Sequence, residues 1–160
     1  MRLFEFNTFI TVILDFVAWF IIHMSVAHIM LRVPPNFFNC RRWIYIERNW
    51  EDGGNIYQRI LKVKKWKPFL PDGAEFSKNK GFPKRHLQSR TPDYLETFLV
   101  ETCRAELTHW VTMLFAPLFF VWNFFFVGWI MILYALITNM PFIIVQRYNR
   151  FRLIRVLSKL

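Results

Sequence analysis

From Leu107 to Val145 nearly every residue is apolar. A run of about forty residues is too long for a single crossing of a ~30 Å hydrocarbon layer and suits two. Pro117, Asn123 and Gly128 are the places where it can turn, so the reversal is expected near 119–125, between passes at 101–120 and 126–145. Asn139 and Pro141 interrupt the later pass and are expected to kink it. A separate apolar stretch, Thr8 to Leu31, is long enough at ~1.5 Å per residue to cross once more. A signal peptide fits this stretch less well. Its basic start is the single Arg2, the apolar part is long, and no A-x-A cleavage site follows. Asp15, His23 and His28 interrupt the run. Asp15 is expected to face other helices or a cavity. The two histidines are five apart, share no helix face well, and read as packed or interfacial side chains.

These runs predict an all-α membrane protein of about three transmembrane helices, a single membrane domain over 1–160. In it, 8–31 is the first pass, 32–100 a basic amphipathic segment at or near the interface, 101–120 and 126–145 the later passes, and 146–160 a basic tail. Hydrophobic residues make up 54% of the chain, yet the formal net charge is +10. A nucleic-acid binder can carry that charge but not these apolar runs. The combination implies a bilayer protein whose polar part faces an anionic surface or an anionic substrate. Of the 21 Lys and Arg residues, 15 lie in 32–104 and 5 in the tail. The positive-inside tendency therefore puts both parts in the cytoplasm and the N-terminus outside, in a multi-pass protein of the cell membrane.

Arg32-Val33-Pro34-Pro35 ends the first helix, because two prolines remove donors and disfavour helical geometry before them. The following segment is too aromatic for a solvated linker, with Trp43, Tyr45, Trp50 and Tyr57 recurring along it. It reads as a stretch lying at headgroup level. Lys62, Lys64, Lys65 and Lys67 surround Trp66, a basic-aromatic cluster that suits a lipid headgroup, the phosphates of an acyl carrier, or a plain surface anchor. Glu51-Asp52-Gly53-Gly54 marks a turn. Thr91-Pro92-Asp93 is a helix start: a capping hydroxyl, proline in the first turn, then an acid. Cys40 and Cys103 show neither metal-type spacing nor a disulfide framework.

That last helix leads into Glu101–Trp110, which gathers two carboxylates, a guanidinium and an imidazole at the mouth of the apolar run. Glu101 and Arg104, and Glu106 and His109, are each three apart and so neighbours on a helix. Ionisable groups at such a boundary are costly unless they face protein, water or a ligand. The plain alternative is a solvated helix end with two ordinary ion pairs.

Several blocks together carry a resemblance. Arg104-Ala105-Glu106-Leu107-Thr108-His109-Trp110, the Lys64-Lys65-Trp66-Lys67 block, the Arg85-His86-Leu87 step and the tail from Pro141 through VQRYNR to Leu153 occur in this order in one family. The chain resembles the glycosyl-4,4'-diaponeurosporenoate acyltransferases, small membrane enzymes of bacterial carotenoid synthesis. The resemblance covers nearly the whole chain. It implies an O-acyltransferase that esterifies the C6 hydroxyl of a carotenoid-bound glucose, or of a similar glycolipid, with a fatty acyl group. It also implies an acyl donor such as acyl-CoA as co-substrate and no cofactor.

Such chemistry needs a base for the hydroxyl proton, donors for the oxyanion and a seat for the carrier's phosphates. His109 is the first candidate base, with Glu106 one turn away to orient it; His86 is the second. Arg104 and Glu101, Lys65 and Trp66, and Arg147, Tyr148, Asn149 and Arg150 of the tail are the candidate substrate contacts. No metal is assigned. Glu106-x-x-His109 does match half of a carboxylate-bridged metal site, so a metal-dependent membrane enzyme stays open, although the second copy of the motif is absent. A non-enzymatic lipid-binding or assembly subunit is the other alternative. The expected partners are the bilayer, the donor and the acceptor, with no nucleic acid. Three passes are few for enclosing an acyl chain and a polyene, which favours a homodimer.

Overall fold

The computed structural model describes residues 4–71, 82 and 87–160. Among these the secondary structure is wholly helical, without strands. The long elements are α1 (Thr8–Arg32), α4 (Pro92–Leu114) and α5 (Phe125–Leu157); α2 (Asn55–Arg59) and α3 (Val63–Trp66) are one turn each, with a 3-10 turn before α2 (Asn49–Gly54) and another after α3 (Lys67–Phe69). The chain divides into two compact units, Met1–Arg32 with Leu107–Pro141, and Val33–Glu106 with Phe142–Leu160.

Among the described residues α1 and α5 are the two helices long and apolar enough to cross a membrane. Most of their large side chains are uncovered by protein; Phe16 of α1 is 75% exposed and Phe126 of α5 is 74% exposed. That is the surface a lipid-facing helix presents, whereas a soluble core helix hides it. The expected pass at 101–120 falls on the later turns of α4 and on a 3-10 turn, Ala116–Val121, that Pro117 opens. Glu101, Arg104 and Glu106 within those turns keep α4 from the apolarity of the other two. α4 does begin at Pro92, where Thr91-Pro92-Asp93 signals a start. α5 continues through Pro141 to Leu157, so most of the expected basic tail is helix.

In the first unit, Trp19, Ala116, Phe119 and Ala135 form the core, with the Trp19 and Phe119 rings stacked at 4.6 Å. Asp15 is buried, as its place in an apolar run requires. Its Oδ1 accepts from Trp122 Nε1 at 2.8 Å and from Asn123 Nδ2 at 2.7 Å. The turn between α4 and α5 thus supplies the donors that the carboxylate needs. Gly128 fits here because a Cβ would meet the Phe120 ring at 2.4 Å. His23 Nδ1 lies 2.9 Å from the Trp19 carbonyl one turn back, a local bond within the helix.

The second unit has two small cores. Tyr57, Val63, Val145, Tyr148 and Phe151 form one, and Leu95, Phe98 and Leu153 the other. Trp66 packs against the first and donates Nε1–H to the Leu61 carbonyl at 2.8 Å. The turn foreseen at Asp52-Gly53-Gly54 is present, with all three residues at positive φ. Gly54, at φ +82°, brings the backbone so close to α5 that a Cβ would meet the Phe151 ring at 3.3 Å.

Candidate functional site

In the second unit the sequence brings four charged side chains from three distant segments into one buried lattice. Arg147 spends all five of its N–H groups there. Nε and Nη2 fork onto Glu51 at 2.6 and 2.7 Å, and Nη1 reaches Glu106 Oε1 at 2.9 Å. The remaining two hold the carbonyls of Ile44 (2.9 Å) and Ile46 (3.0 Å). Glu106 Oε2 accepts from Arg150, whose other terminal nitrogen points at Cys103 Sγ, 3.6 Å away. Glu51, Glu106 and Arg150 are each 0% exposed. Two carboxylates therefore match two guanidiniums, which is the condition for burying charge at all.

Neighbouring groups respond to this lattice. Burial opposes the charge on Glu51, but hydrogen bonds from Arg147 and Tyr57 outweigh it and hold its carboxyl below the usual range. Burial pushes the Tyr45 phenol up to about 12, and burial with the bond to Glu51 also raises Tyr57. Arg150 lies over the Tyr45 ring at 5.3 Å. Cys40 and Cys103, 63 residues apart, are free thiols with Sγ atoms 2.7 Å apart. Nothing in their spacing indicated this proximity, which the packing of the second unit creates.

The other expected contacts fall as follows. Arg104 pairs with Glu101 at 3.0 Å, as their spacing implies, and Nη1 also holds the Val33 carbonyl at 2.7 Å ahead of the two prolines. Asn149 Oδ1 accepts from Lys67 at 2.8 Å. The Tyr148 hydroxyl accepts from Arg152 at 2.9 Å. Lys65 is exposed on α3. His86, with Arg85 of the same step, lies outside the described residues. Among the described residues no group of three or more His, Cys, Asp and Glu is arranged to hold a metal ion.

In the first unit His109 has a different kind of partner. Its Nδ1 lies 2.8 Å from Oδ1 of Asn139, a side chain only 1% exposed. The Asn139 amide nitrogen is committed to the Ala135 carbonyl at 2.9 Å and to Thr138 Oγ1 at 3.2 Å. The oxygen must then be the atom facing His109, and an oxygen can only accept. The network therefore puts a proton on Nδ1. An imidazole held in one tautomer by a buried acceptor is the arrangement a general base requires. Glu106, expected as the orienter, has both oxygens on arginines, while Asn139, read from the sequence only as an interruption of a pass, accepts from the ring. A polar residue thirty positions away gives no spacing signal. Its one clue was that an amide is costly inside an apolar helix unless it has a partner.

Comparison with known proteins gives the family. A family model described as glycosyl-4,4'-diaponeurosporenoate acyltransferase matches residues 41–159. Proteins of that name from Staphylococcus aureus strains bovine RF122 / ET3-1, N315 and USA300 are each 37% identical to the chain over 139 residues, covering 87% of it and 83% of the relative. No solved structure matches. The chain belongs to the glycosyl-4,4'-diaponeurosporenoate acyltransferase family and is an acyltransferase.

Proposed function

We propose that this protein is an integral membrane enzyme that moves a fatty acyl group from a thioester donor to a sugar hydroxyl of a glycosylated carotenoid or similar glycolipid. The observation that carries the reading is the His109–Asn139 pair, with the amide nitrogen of Asn139 anchored on Ala135. The name shared by its relatives supplies the substrate class. His109 Nε2 takes the proton of the sugar hydroxyl as its oxygen attacks the acyl carbonyl. Asn139 Oδ1 holds the Nδ1–H and stabilises the imidazolium that forms. When the tetrahedral intermediate collapses, the C–S bond breaks, the ester remains on the sugar, and the imidazolium returns its proton to the departing thiolate.

The uncovered apolar side chains of α1 and α5 support residence in the bilayer. α4 would supply a third pass, which places the N-terminus outside and the basic segment in the cytoplasm, where charged donors are found. A homodimer would give three short passes enough surface to enclose both lipids.

The test is mass spectrometry of lipids from cells that are supplied with a glycosyl carotenoid and make either the wild type or His109→Ala at matched protein level. The wild type yields an acylated product, and His109→Ala lowers its rate by about 10²–10⁴-fold. Undiminished product from the variant would remove His109 from the reaction. No product from either would remove this acceptor.

A further inference from the structure

The second unit has an open cleft of about 360 Å³ whose charges, unlike those of the buried lattice, are unmatched among the described residues. Lys64, Arg152, Arg155 and Lys159 line it, together with the polar groups of Asn55 and Tyr148, and none of its lining residues is acidic. The two arginines are held by neutral acceptors. Arg155 donates to the Gly53 carbonyl and to Asn55 Oδ1 at 3.2 Å. Arg152 donates to the Tyr148 hydroxyl at 2.9 Å and lies 5.4 Å over that ring. These contacts aim the guanidiniums without cancelling them. Tyr148, Arg152, Arg155 and Lys159 recur at helical spacing along one side of the chain's last turns, and Lys64 comes from α3. Four cations converging on a concave surface repel one another, and an anion relieves that repulsion.

We propose that this cleft is a phosphate-recognition site that seats the phosphorylated carrier of the acyl donor; in naming the donor it rests on the acyl-transfer reading above. The volume lies in the range of ~300–1,000 Å³ usual for small-molecule sites, and guanidinium forks match phosphate oxygens. Charge decides between the two sources of phosphate. A phospholipid headgroup such as phosphatidylglycerol offers a single negative charge, whereas four cations suit the several charges of a diphosphate with a phosphomonoester, as in coenzyme A. Of the tail arginines, Arg147 and Arg150 have their charge matched by Glu51 and Glu106. The residues one and two turns further along α5 carry it unmatched.

The experiment is calorimetric titration of coenzyme A into the full-length protein in phosphatidylcholine nanodiscs, for the wild type and for Lys64→Gln/Arg152→Gln. Expected are wild-type binding that weakens with added salt, and a loss of about tenfold or more in the double variant at an unchanged melting temperature. Pantetheine, which lacks the phosphates, should not distinguish the two proteins. Should the double variant fail to fold, Lys159→Glu, beyond the end of α5, should weaken coenzyme A binding in the same direction. A second arm replaces half the lipid with phosphatidylglycerol and counts retained lipids by native mass spectrometry. Phosphatidylglycerol held by the wild type and lost by the variant, with no coenzyme A binding, would overturn the donor assignment in favour of a headgroup. Equal coenzyme A binding by wild type and variants would overturn the cleft. Because binding is read without turnover, a protein that binds coenzyme A through the cleft but never acylates the glycosyl carotenoid would overturn only the acceptor reading. Normal acylation with binding indifferent to the substitutions would overturn only the cleft.

Discussion

The two units handle buried polarity in opposite ways. The second buries full charges and spends them: Arg147 uses every N–H it has, and Glu106 gives both oxygens to arginines. The first buries mainly neutral groups, plus one carboxylate held by an indole and an amide. Its His109–Asn139 pair sets a ring nitrogen against a neutral amide oxygen. A charge-matched ion lattice holds a fold, since its carboxylates already have their guanidiniums before a substrate arrives. In the proposed reaction it is His109, oriented by that amide, that accepts the proton.

The sharpest way to break this contrast is to remove Arg147. Arg147→Ala leaves Glu51 and Glu106 short of a partner and two carbonyls without donors, and should cost about 3–5 kcal/mol, seen as loss of the melting transition in detergent. Arg147→Lys should recover little, because three donors on a flexible stem cannot replace a five-donor fork.

Asn139→Ala should act on rate more than on stability. Losing the acceptor frees the wrong tautomer, and the acyl-transfer rate should fall about 10–100-fold, with ~1–3 kcal/mol of stability lost. Asn139→Asp, which keeps an oxygen toward Nδ1, should recover part of the rate and shift its pH profile upward, since a carboxylate raises the imidazole's proton affinity. If both variants match the wild type in rate, the pair is structural and the contrast fails.

Gly54→Ala tests the turn that brings the second unit's loop to α5. It combines positive φ with a 3.3 Å approach to Phe151, and should cost about 1–3 kcal/mol in a melting experiment without changing the pH profile of the reaction.

The pH dependence of stability should be the mildest effect near neutrality and should appear on both flanks. Glu51 has its folded pKa depressed, so its contribution is present above the ordinary carboxylate value of 4.5 and is lost as pH falls below it. Tyr45 is raised to about 12, so its contribution is present below its ordinary value of 10.0 and is lost as pH climbs between these values. Melting curves of wild type and Glu51→Gln should converge on the acid side, and those of wild type and Tyr45→Phe should change their difference only on the alkaline side.

What the sequence determined by itself was local or compositional. Long apolar runs determined α1 and the apolar part of α5. A hydroxyl, a proline and an acid in a row determined the start of α4, and paired glycines determined the turn before α2. Three-residue spacing was enough for the Glu101–Arg104 pair, because one helix turn sets that distance whatever surrounds it. The family, too, was legible in short ordered blocks such as VQRYNR and RAELTHW. Only tertiary structure decided which charges are spent. Arg147 meets Glu51, 96 residues away, and Cys40 meets Cys103 across 63. His109 takes its acceptor from Asn139, 30 positions on, rather than having Glu106 reserved for it at three. Helical spacing tells which side chains are within reach of each other. Burial decides which reachable partner is taken, because each desolvated donor and acceptor must be satisfied at once, and that condition ties together segments the linear chain keeps apart.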